Sequence, residues 1–92
     1  MRVRERIESK LNERFAPARL TVIDESSQHE GHAGWRAGGE THFRVELVSD
    51  AFAGHGRVAR QRMVYDALAK ELVGTIHALQ LTTLTPEEDP GR

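Results

Sequence analysis

Apolar residues recur every four positions at the start of the chain, at Val3, Ile7, Leu11 and Phe15, with Arg, Glu and Lys between them. That period puts one apolar stripe on an amphipathic helix over residues 2–15. Pro17 stops it, because proline cannot continue a helix. The period then shortens to two. Residues 19–25, RLTVIDE, are short and β-branched and predict a strand. Residues 41–49, THFRVELVS, alternate cleanly, with Phe43, Val45 and Leu47 to one side and His42, Arg44 and Glu46 to the other. Helical spacing returns at Val58, Tyr65, Leu68 and Leu72, which predicts a second helix over 57–73 with those residues on its buried face. Residues 76–84, IHALQLTTL, read as a third strand.

The connections carry their own signals. Residues 26–40 hold Gly31, Gly34, Gly38 and Gly39 and form a long loop, a length usually functional or disordered in a small domain. Residues 50–56, DAFAGHG, form a turn with a single helical turn at its start. Thr85-Pro86-Glu87-Glu88 offers a cap, a proline first and acids next, the pattern of one more helical turn. Residues 89–92, with Pro90 and Gly91, are expected to be a frayed tail. The order is α-β-β-α-β. The first two strands pair antiparallel, and the third returns parallel to the second through a right-handed crossover. The expected fold is α+β, a three-stranded mixed sheet covered on one face by helices, as a single domain over 1–88.

Composition narrows the function. A chain of 92 residues makes one small domain. With 38% hydrophobic and 29% charged residues it reads as globular, and a net charge of −1 gives no global pull toward nucleic acid or membrane. No apolar run approaches the roughly 20 residues of a membrane span, so no membrane partner is expected. The N-terminus is Arg-rich and amphipathic, but Glu5, Glu8 and Glu13 lie among the arginines, which transit peptides avoid. The expectation is a cytoplasmic protein. The absence of cysteine excludes disulfides, a Cys-based zinc site and a self-sufficient iron–sulfur site.

The histidines are the remaining candidates for chemistry. His29 and His32 sit in SSQHEGHAGW. HEGH is not HExxH, and nothing there is helical, so a metalloprotease is excluded. The loop is either solvated with incidental histidines or a fragment of a metal site. His77 lies in line with Leu79 and Leu81, so parity puts it on the core-facing side at the strand's edge. There it is either a core histidine bonded to a backbone carbonyl or, with the loop, half of a metal site that needs ligands from elsewhere. His42, on the polar face, is a structural support that orients the loop, and His55 is expected to be exposed.

Arg57, Arg60 and Arg62 crowd the start of the second helix, where positive charge opposes the macrodipole by about a few tenths of a kcal/mol each. They form either a solvated face or a contact for phosphate or carboxylate, on nucleic acid or a partner. Gln61 between them falls at the rim of the core. GHAG is a GxxG string, but in KH domains that string joins two helices, and here it joins two strands. Aromatic residues are 5%, so no stacking platform for bases is evident. No Ser/His/Asp arrangement or phosphate loop is present, and nothing singles out an acid–base pair among Asp24, Glu25 and Glu30, so an enzyme is not expected.

In order, several pieces resemble the BolA family: Asp24-Glu25-Ser26 followed by His29, Glu40-Thr41-His42-Phe43, and Val48-Ser49-Asp50 with Phe52 and Gly54. Arg60 and Arg62 follow, with Val64-Tyr65, Leu68, Glu71-Leu72 and His77-Ala78-Leu79. The resemblance spans residues 4–88. It implies a class II KH-like fold with added helical turns. It also implies a partner, a monothiol glutaredoxin of the CGFS type, with which such proteins share a [2Fe-2S] cluster and glutathione. The resemblance makes His77 one ligand and a loop histidine the other. His29 keeps the spacing after Asp-Glu-Ser, while the glycines beside His32 favour His32. Thiols would come from the partner and glutathione. The family's usual Arg-His-Arg is Arg60-Gln61-Arg62 here, which alters local bonding but not the implied ligands. Some members are also linked to DNA, a contact for which Arg57, Arg60 and Arg62 are the candidates.

Overall fold

The computed structural model describes residues 2–26 and 41–91. His29 and His32 lie outside the described residues. The elements are α1 (Val3–Phe15), β1 (Arg19–Asp24), β2 (His42–Val48), α2 (Arg57–Ala67), α3 (Ala69–Gly74) and β3 (Ala78–Leu84), with 3-10 turns at Asp50–Phe52 and Pro86–Glu88.

In α1 the stripe read from the sequence is the buried one: Val3, Ile7, Leu11 and Phe15 all face the core. Glu5 accepts the Arg2 N–H at 3.1 Å and so satisfies one of the amides that a helix start leaves without a partner. The helix ends at Ala16, which turns left-handed at φ 43 and ψ 57 and returns its N–H to Asn12 O at 3.1 Å. Pro17 follows and prevents continuation.

The sheet order is β1-β2-β3. β1 pairs antiparallel with β2, from Arg19↔Val48 to Asp24↔Phe43. β2 pairs parallel with β3, from His42↔Ala78 to Val48↔Leu84. Phe43, Val45 and Leu47 point to the helical side and pack with Ile7, Leu11, Phe52, Val64 and Leu68. Burying each of these large side chains contributes roughly 1.5–3 kcal/mol. Phe15 and Phe52 meet at 5.2 Å between ring centroids. Ser49 ties the sheet's end to α1: its hydroxyl donates to Phe15 O at 2.6 Å and accepts the Ala51 N–H at 3.1 Å.

Two expectations are corrected. The second helix is divided at Leu68, whose φ −106 and ψ 18 leave the helical region. Its buried face is also different. Val58 is 61% exposed and Tyr65 40%, while Val64, Leu68 and Glu71 are buried. That stripe carries charge, which Lys10 neutralises with an ion pair to Glu71 at 2.9 Å. Near the chain end, Asp89 is bonded on both carboxylate oxygens. The Arg19 guanidinium donates to both Asp89 oxygens at 3.0 Å, and Asp89 also accepts the Gly91 N–H at 3.0 Å.

Candidate functional site

Two places drawn from the sequence now have geometry: the head of the sheet, where β2 and β3 begin, and the first turns of α2. At the head of the sheet, Thr41 is fully buried and its carbonyl accepts two consecutive amides, His77 N–H at 2.7 Å and Ala78 N–H at 3.2 Å. β3 begins only at Ala78. The period of two therefore does not reach His77, and its side chain is exposed instead of facing the core. Its ring lies beside that of His42, with centroids 6.2 Å apart and planes 16° from parallel.

His42 is on the face expected for it, in register with Ala78, but it is only 8% exposed. Its Nδ1 shares a hydrogen bond with the Thr41 hydroxyl at 2.8 Å. Glu25 and Ser26, the last described residues before position 41, lie beside this pair. Glu25 N–H donates to His42 O at 2.8 Å, continuing the β1–β2 ladder by one residue. Ser26, 2% exposed, donates both its N–H, at 3.0 Å, and its hydroxyl to Asp24 Oδ1. A cleft of about 190 Å³ opens here between Glu25, His42, Phe43, Ala78, Leu79 and Gln80.

An exposed imidazole is a good ligand for iron, copper or zinc when neutral. Among the described residues no three His, Asp or Glu side chains converge on one point. Of the histidines expected to bind metal, only His77 is described, as one exposed imidazole, and His29 and His32 fall outside the described residues.

At the start of α2, Gly56 caps the helix without a side chain, and the first turn holds no acid. Arg57 and Arg62 are exposed. Arg60 is not: its side chain is 12% exposed. It donates to His55 O at 2.7 Å, to Thr83 O at 3.2 Å and to Glu88 Oε1 at 2.7 Å, and it stands 5.9 Å from the centre of the Phe52 ring. Glu88 in turn accepts the Thr85 N–H at 2.8 Å. The Arg60 and Thr85 bonds hold its carboxyl down to about 2. A groove of about 670 Å³ runs here between α2 and β3, with half-buried Gln61 and exposed His55 in its wall. The three arginines are thus divided, two facing solvent and one committed to the fold.

Two residues that hold these places escaped the sequence reading. Glu88 had a signal, since Thr85 and Glu88 stand three apart as a capping box does. Thr41 had none, because its part depends on a carbonyl that meets His77 only in the folded sheet.

Comparison with known proteins adds four findings. A protein-family model described as BolA-like protein matches residues 11–88. The DNA-binding transcriptional regulator BolA of Escherichia coli is 50% identical over 91 residues, covering 99% of this chain and 83% of that protein. Among solved structures, BolA1 from Arabidopsis thaliana gives a TM-score of 0.86 at 37% identity, covering 98% of this chain and 99% of that one. The BolA domain of SufE1 from Arabidopsis thaliana gives 0.84 at 44% identity, over 94% of each chain.

Proposed function

This chain belongs to the BolA family, and from that premise we propose that it is an adaptor: it docks a monothiol glutaredoxin of the CGFS type and helps bind a [2Fe-2S] cluster shared with that partner and glutathione. The carrying observation is the exposed His77 imidazole, on a residue whose backbone N–H is held by the Thr41 carbonyl, in a chain without cysteine. His77 would supply one nitrogen, and His32 or His29 the second position. The thiols would come from the partner and glutathione. Imidazole ligation of one iron raises the potential of such a cluster above that of all-thiolate ligation. The chain's own contribution is to present the His77 imidazole at the head of the sheet. This role needs no catalytic group.

The test is spectroscopic. The cluster is first assembled on a CGFS glutaredoxin with glutathione, and this protein is then added. The visible absorption and circular dichroism are expected to change to those of a mixed-ligand cluster, and His77→Ala is expected to abolish the change. An unaltered spectrum with the native protein defeats the proposal.

A second reading has its own support. The Escherichia coli relative is named a DNA-binding transcriptional regulator, and Arg57 and Arg62 are exposed on α2. In that reading they contact phosphates, so binding is weak and strongly salt-dependent. Replacing either with Ala is expected to lower the salt slope of binding by about 1, measured by fluorescence anisotropy. No binding to any duplex at low salt would eliminate it.

A further inference from the structure

Thr41 and His42 hold His77 from two directions. The Thr41 carbonyl takes the His77 N–H at 2.7 Å, which fixes the backbone. The His42 ring lies within 16° of parallel to the His77 ring at 6.2 Å, inside the range of offset ring contacts. His42 is itself held in place, being 8% exposed and bonded through Nδ1 to the Thr41 hydroxyl at 2.8 Å. A histidine at the head of a strand without such neighbours visits several staggered rotamers, and binding a metal forfeits all but one of them.

From this juxtaposition we infer that His42 is a positioning residue, whose buried ring is the platform that keeps the His77 imidazole in one orientation before any metal arrives. The purpose of that positioning rests on the metal-ligand reading of His77; the positioning itself does not. In this role His42, 8% exposed and with its Nδ1 sharing a hydrogen bond with Thr41, acts through its neighbour. One dipeptide therefore sets the His77 backbone and the platform ring together.

The experiment uses the full chain with His42→Leu, His42→Phe and Thr41→Val, first without metal. NMR reads the ring-proton shifts of His77 and the three-bond couplings that report its χ1. In the native protein the couplings are expected to report one rotamer. His42→Leu is expected to shift the ring protons and average the couplings. His42→Phe, which keeps a flat ring, is expected to restore a single rotamer, and Thr41→Val to fall between. Each variant is then titrated against cluster-loaded CGFS glutaredoxin with glutathione. His42→Leu is expected to weaken the mixed-ligand complex by about tenfold, the usual size of such a supporting contact, and His42→Phe to recover it. Native couplings in His42→Leu overturn the inference. If that variant does not fold, native couplings in Thr41→Val together with averaged couplings in His42→Phe overturn it. A native protein with an ordered His77 and no cluster signal would instead defeat the metal reading and leave the positioning standing.

Discussion

Arg60 places its guanidinium on the carbonyls of His55 and Thr83 and on the carboxylate of Glu88, over the ring of Phe52. It thereby joins α2, β3 and the last helical turn. An arginine so enclosed matters through packing and satisfied carbonyls more than through net charge. Arg60→Ala is expected to lower stability by about 1–3 kcal/mol, while Arg57→Ala and Arg62→Ala stay within about 0.5 kcal/mol. Urea midpoints of the three variants check this. The same measurement guards the DNA reading, because any loss of binding in Arg60→Ala would be confounded by unfolding. For that reason Arg57 and Arg62 are the informative positions.

Among the elements, α1 ends with a cost. Ala16 holds a left-handed conformation, φ 43, without being glycine, and it precedes a proline. L-residues lose roughly 1–2 kcal/mol in that region. Ala16→Gly is expected to raise stability by about 0.5–1 kcal/mol after the extra freedom of the unfolded glycine is subtracted, which a denaturant titration would show. The elements themselves were legible from hydrophobic period. α1 and β2 match because their apolar residues are also the buried ones. In the second helix two stripes compete: Leu68 and Leu72 pack on the core as expected, but Val58 and Tyr65 only look like core, and the buried stripe runs instead through Arg60, Val64, Leu68 and Glu71. Charges do not read as core until their partners, Glu88 and Lys10, are brought across from distant segments. His77 was misplaced for a related reason. Strand parity was extended one residue beyond the ladder, and the Thr41 carbonyl that ends the ladder is invisible in the sequence.

Across the whole molecule, carboxylates fasten the pieces. Glu88 is bound by Arg60, and Asp89 by Arg19, which also bridges to Glu46 at 2.8 Å. The Arg19 bond and the Gly91 N–H lower the Asp89 carboxyl. For Glu71, burial alone would push the carboxyl up, but the Lys10 ammonium and backbone bonds outweigh it, and the net shift is downward. A folded-state value below the unfolded one means that unfolding takes up protons in acid. These groups stabilise in full above their ordinary values, 4.5 for Glu71 and Glu88 and 3.8 for Asp89, and lose their contribution as pH falls, for Glu88 toward about 2. The denaturant midpoint is expected to be flat from neutrality to about pH 5 as far as these groups are concerned, then to fall steadily. Glu71→Gln should flatten that decline.

The parallel pairing of β2 with β3 also has a consequence in time. β2 can meet β1 as soon as the chain doubles back, but it meets β3 only after the helical crossover, and such long-range pairings slow folding to about milliseconds to seconds. β3 is the last strand of the sheet to leave the ribosome. Until it docks, the Thr41 carbonyl has no amide from His77 to hold, and the two imidazoles are strangers. A nascent chain therefore displays its histidines without the geometry to use them. If His77 is the metal ligand proposed above, loading is expected to wait for the final strand.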